Sequence, residues 1–86
     1  MSAHSDYSID PFSSMAIPAQ VLAALRGRLS AIEQASDTQQ VYLAAEKAES
    51  FVEALEALNV LSPANIFSIY QVIDAVAQAR TMMLIL

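Results

Sequence analysis

The chain has no cysteine and no tryptophan, and it contains a single glycine and a single histidine. Without cysteine there is no disulfide, and one histidine, His4, cannot supply a closed zinc site. Phosphate-cradling turns are rich in glycine, and Gly27 is alone. We therefore expect no metal ion, no cofactor and no bound nucleotide. The absence of cysteine also fits a reducing compartment, and we expect the protein to be cytoplasmic.

Positive charge is scarce as well. Four lysines and arginines stand against nine acidic residues, which gives a formal net charge of −5. Nucleic-acid binding requires clustered cations that neutralise phosphates, so we expect no nucleic-acid partner. Nucleophilic catalysis requires a serine or cysteine beside a base, and the only histidine lies near the N-terminus. We therefore expect the protein not to be an enzyme.

The chain contains no long uninterrupted apolar run. The first residues lack the basic start and apolar stretch of a secretory signal. Residues 66–86 are mostly apolar, but Asp74 and Arg80 interrupt them. An ionised side chain near the centre of a membrane span costs a few kcal/mol, so we expect no membrane span.

Residues 1–13 are rich in serine and aspartate, and we predict a flexible N-terminal tail followed by one helical domain, residues 14–86. Tyr7, Ile9 and Phe12 are the apolar exceptions in this tail. Their spacing suits an extended segment lying in a groove, but we favour the alternative that they are isolated apolar residues in an unstructured tail.

The first predicted helix covers about residues 15–35. Its apolar positions recur at steps of three and four, the period of an α-helix with one buried face: Leu22, Leu25, Leu29 and Ile32. Gly27 lies inside this helix, where glycine costs roughly 1 kcal/mol relative to alanine. It either permits close approach of another helix or is simply tolerated.

The second predicted helix covers about residues 38–59. Asp37 and Gln40 have the spacing of a capping box, and Asn59 suits a left-handed helix end. An apolar row, Val41, Ala44, Ala48, Phe51, Leu55 and Leu58, predicts the buried face. An acidic row is predicted on the opposite face, formed by Glu46, Glu49, Glu53 and Glu56. This acidic row fits a solvated surface or a docking surface for a basic partner, and a metal site is a remote alternative.

The third predicted helix covers about residues 63–85 and begins at Ser62-Pro63, a capping hydroxyl followed by a residue suited to the first turn. It is apolar over most of its circumference. A helix of that kind is usually buried, and three helices offer little room for it. An 86-residue chain also buries only about 60% of its unfolded surface, so oligomerisation is an available source of stability. We expect a homodimer that completes a helical bundle.

The sequence therefore predicts an all-α, three-helix domain that associates with protein, most simply as a homodimer. The leading functional hypothesis is a small acidic, non-catalytic interaction protein, such as an adaptor, chaperone or inhibitor. One alternative is a self-assembling structural subunit of a secretion apparatus or filament, and a second is a small dimeric all-helical enzyme. The candidate interaction surface combines the acidic row of the second helix with apolar residues of the third: Glu46, Glu49, Glu53, Glu56, Ile69, Tyr70, Val72, Ile73, Val76 and Met83.

Overall fold

The computed structural model describes Phe12 and residues 15–86. In this part of the chain there are three helices and no strand: α1 (Ala19–Glu33), α2 (Thr38–Ala57) and α3 (Pro63–Ile85). The prediction of an all-α, three-helix domain is confirmed. The rest of the predicted N-terminal tail lies outside the described residues.

The turn between α1 and α2 uses the predicted cap with one change. The Asp37 carboxylate accepts a hydrogen bond from the Gln40 main-chain N–H at 2.8 Å, as expected for an N-cap. The Gln40 side chain, however, reaches one residue further back than a capping box requires. Its Oε1 accepts from the Ser36 main-chain N–H at 3.0 Å and from the Ser36 hydroxyl at 2.8 Å. The side chains of Asp37 and Gln40 therefore both stabilise this turn through hydrogen bonds.

The connection between α2 and α3 is equally well defined by local signals. Asn59 adopts a left-handed conformation with φ of 56°. Its N–H donates to the carbonyl of Glu56, and the N–H of Val60 donates to the carbonyl of Leu55, both at 3.1 Å. This pair of bonds is the Schellman arrangement that ends many helices. Ser62 then caps α3 by accepting from the Asn65 N–H at 3.2 Å.

The first helix begins at Ala19, four residues after the predicted start. Pro18 occupies the N-cap position with an extended ψ of 143° and offers no side-chain cap. The clash of a proline ring with the preceding residue disfavours helical geometry there, which accounts for the non-helical conformation of Ile17.

The core lies where the three helices meet, and α2 packs against both of its neighbours. It is purely apolar: Phe12, Leu25, Ile32, Ala35, Val41, Ala48, Val52, Leu55, Leu61, Ile66, Ile69 and Ile73. Phe12, the one described residue of the predicted tail, is only 3% exposed and packs with this core. The domain therefore draws at least one apolar anchor from the region that precedes its helices.

The buried face of α2 is rotated slightly from the predicted apolar row. Val52, which the row omits, is fully buried, whereas Phe51 is half-buried. Leu58 is 73% exposed because the helix ends at Ala57 and the chain then turns away. The buried face of α2 therefore includes Ala48 and Val52. This rotation of the helix sets the direction in which the acidic side chains face.

Candidate interaction surfaces

The apolar residues predicted as surface on α3 divide into two groups. Ile69 and Ile73 are fully buried, so they stabilise the domain and present no surface to a partner. Tyr70, Val72 and Val76 are partly exposed, and Met83 is 66% exposed. The helix thus has a defined inner face even though its sequence is apolar almost all round.

The acidic row, Glu46, Glu49, Glu53 and Glu56, is exposed along its whole length. It does not lie directly opposite the core. Glu46 and Glu49 face residues of α3 across a shared groove. The pKa of the Tyr70 phenol in α3 is raised in part by the negative charges of Glu49, Glu53 and Glu56. The acidic row therefore borders α3 along the edge of α2.

An open groove of about 570 Å³ lies between the first half of α2 and the second half of α3. We call it the acidic groove. Its floor consists of buried or half-buried apolar side chains: Val41, Ala45, Ile73 and Ala77. Exposed polar and acidic side chains form its rims, with Glu46 and Glu49 on α2 and Asp74 and Gln78 on α3. The groove thus offers an apolar base between two negatively charged edges.

Neutral donors hold one carboxylate on each rim. The Tyr42 hydroxyl donates to Glu46 Oε2 at 2.9 Å, and Gln78 Nε2 donates to Asp74 Oδ2 at 3.1 Å. Each pair is spaced four residues apart on one helix, where side chains are neighbours. The hydrogen bond to Glu46, followed by the negative charge of Glu46, raises the pKa of the Tyr42 phenol above its ordinary value. These donors orient the carboxylates without neutralising them.

Tyr70 marks the continuation of the acidic row beyond the groove. Burial raises the pKa of its phenol, and the negative charges of Glu56, Glu53 and Glu49 raise it further. A phenol that resists ionisation stays neutral and can donate a hydrogen bond over the whole physiological range. The edge between α2 and α3 is therefore negatively charged from Glu46 to Glu56.

A second, neutral surface lies on α3, beside the end of α1. Apolar side chains recur there at intervals of three and four residues, and we call them the neutral stripe: Val72, Ala75, Val76, Ala79 and Met83. Part of the stripe lines a groove of about 450 Å³, with Glu33 and Arg80 at its border. The stripe leads towards the most exposed apolar residues of the helix, which include Met82 at 54% and Ile85 at 64% exposure.

The basic residues with described contacts are engaged away from the acidic groove. The Arg28 guanidinium lies 4.3 Å from the centre of the Phe51 ring and joins α1 to α2. Arg80 Nε donates to the carbonyl of Ala35. Lys47 lines the other side of α2, together with Arg28. Among the described residues, no lysine or arginine lines the acidic groove.

Two properties of the described residues complete this account. None of their helices has the length and apolar character needed to cross a membrane. No three of their histidine or acidic side chains converge in a way that could hold a metal ion.

Comparison with protein-family models gives no match to this chain, and comparisons with curated proteins and with solved structures give no significant match.

Proposed function

We propose that this chain is a small, non-catalytic protein–protein interaction module, an acidic adaptor, chaperone or inhibitor that works as a homodimer in the cytoplasm. The observation that carries the proposal is the neutral stripe. Its five apolar residues lie at the spacing with which a helix packs against another helix. Val72 and Val76 are half-buried against the core, whereas Ala75, Ala79 and Met83 are exposed in the described chain. Exposed apolar surfaces of this kind are typical of protein–protein contacts.

A second copy of the chain suits the neutral stripe because the stripe carries no charge. Two copies with a net charge of −5 repel each other. Contact through a neutral surface keeps the acidic residues of one copy away from those of the other. Ala75 and Ala79 lie one turn apart and present little bulk, so two α3 helices can approach closely there. A two-fold pairing of α3 with its copy is the simplest closed arrangement.

Sedimentation equilibrium at micromolar concentrations tests the proposal, and we expect the mass of a dimer. Ala79→Glu places a charge in the neutral stripe and should produce a monomer with an unchanged helical circular dichroism spectrum. Ala54→Glu adds the same charge at an exposed position of α2 and serves as the control. A wild-type monomer would refute the dimer. A mass that grows steadily with concentration would favour the self-assembling structural subunit instead.

A further inference from the structure

The acidic groove is a separate surface from the neutral stripe, and its charge restricts what it can bind. Glu46 and Glu49 stand on one rim and Asp74 on the other, all exposed. The hydrogen bonds that they accept from Tyr42 and Gln78 come from neutral groups. The groove therefore retains an uncompensated negative charge on both sides of an apolar floor.

The chain has only four lysines and arginines with which it or a second copy could complement this charge. The N-terminal residues preceding the described helices contain Asp6 and Asp10, and the first lysine or arginine of the sequence is Arg26. A second copy brings another net charge of −5. Like charges placed opposite each other oppose association, so the complementary occupant is a basic segment of a different protein.

The shape of the groove indicates the form of that segment. Along α2 it extends from Thr38 to Glu49, which corresponds to about 16 Å at the rise of an α-helix. That length equals about three turns of a bound helix. The floor between Ala45 and Ala77 can receive apolar side chains that recur every three or four residues, as in other complexes of an amphipathic helix in a groove.

We propose that the acidic groove binds an amphipathic helix whose apolar face is flanked on both sides by lysine or arginine. The apolar face lies on Val41, Ala45 and Ala77, and the flanking cations pair with the carboxylates of the two rims. Tyr42 and Gln78 fix one carboxylate on each rim before binding, which reduces the ordering cost. This inference rests on the proposed function as an interaction module and names the chemistry of a partner.

A synthetic 14-residue helical peptide with leucines on one face and lysines on both flanks is the probe. Two companion peptides serve as controls: one replaces every lysine with glutamate, and the other has the basic composition in scrambled order. Fluorescence anisotropy of the labelled peptides against the full-length protein measures binding. We expect the basic amphipathic peptide to bind one site per chain, at least about tenfold tighter than either control, and to weaken as salt is raised.

Matched variants locate the site. Glu49→Gln should weaken the basic peptide by about threefold or more, whereas Glu33→Gln, an equal charge change at an exposed position of α1, should not. Equal binding of the glutamate or scrambled peptide, an equal effect of the two variants, or no binding of the basic peptide would each overturn the proposal. Sedimentation of the same samples distinguishes the two proposals. A protein that forms the dimer but does not bind the peptide refutes only the groove inference.

Discussion

Arg80 Nε donates a hydrogen bond to the main-chain carbonyl of Ala35 at 2.9 Å, across a sequence separation of 45 residues. Ala35 is 5% exposed and lies in the turn after α1, and Arg80 is partly buried near the end of α3. Ala35 lies one residue beyond the C-cap Gln34, so its carbonyl belongs to the turn, and the bond from Arg80 satisfies it there. It also fixes the second half of α3 beside the start of α2, where the acidic groove is formed.

Replacing Arg80 with methionine should destabilise the domain by about 1–2 kcal/mol, because the Ala35 carbonyl loses a charged donor in a buried place. Urea unfolding followed by circular dichroism measures the change. Lys47→Met removes the same charge from an exposed site and should change the free energy of unfolding by less than about 0.5 kcal/mol. Equal effects of the two variants would show that the hydrogen bond contributes nothing.

Ile73→Ala should cost about 2–5 kcal/mol, because the side chain is fully buried among all three helices. Phe51→Ala should cost less, since its ring is half-buried and partly covered by Arg28. Thermal melts of both variants give the order of the two losses. The reverse order would mean that Phe51 contributes more to the stability of the domain than its half-buried position indicates.

The contact of Arg28 with Phe51 should be worth about 0.5–1 kcal/mol, the range of cation–π pairs near a protein surface. A double-mutant cycle with Arg28→Met and Phe51→Leu isolates this coupling, because methionine keeps the length of the side chain without its charge. A coupling energy of zero would show that the charge of Arg28 does not interact favourably with the Phe51 ring.

Gly27→Ala should stabilise the domain by about 0.5–1 kcal/mol. Apart from its chain neighbours and the adjacent backbone of α1, a methyl group added at this position would meet no described atom within 4 Å, so the glycine does not serve a close approach of α2 or α3. The gain comes from restricting the unfolded chain and from the better helix propensity of alanine. A loss of stability in chemical denaturation, or weaker self-association, would show that another chain packs against Gly27.

Tyr42 should ionise at a higher pH than an ordinary tyrosine, because Glu46 accepts its hydrogen bond and opposes the phenolate charge. A pKa raised on folding contributes stability below the unfolded pKa of about 10, and this contribution is lost as pH rises through the folded pKa. Ultraviolet titration in a Tyr7→Phe, Tyr70→Phe background follows Tyr42 alone. Glu46→Gln should lower its pKa, whereas Glu33→Gln should leave it unchanged.

Both turns could be predicted from sequence because their signals are local. Asp37 caps α2, Asn59 ends it in a left-handed conformation, and Ser62-Pro63 starts α3, each through partners within four residues. The shift of the Gln40 side chain to Ser36 was not predicted, since neighbouring N–H groups compete for the same oxygen and the sequence pattern does not rank them.

The surfaces were harder to predict. Because α3 is apolar almost all round, its periodicity does not distinguish Ile69 and Ile73, which are fully buried, from Val72 and Val76, which are partly exposed in the neutral stripe. On α2, the alternation of apolar and acidic residues located the acidic row but not its direction. The packing of the buried residues of α2, Val52 among them, places Glu46 and Glu49 beside α3, and the sequence pattern did not predict this acidic groove.

The helices are joined by connections of only four and five residues, 34–37 and 58–62. Each helix therefore meets its neighbour in sequence with little loop to close, and helical domains of this topology fold in microseconds to milliseconds. Rapid folding shortens the time for which Ile66, Ile69 and Ile73 are exposed to other molecules during each unfolding event. Fast folding of this kind protects a chain kinetically against aggregation through its core residues.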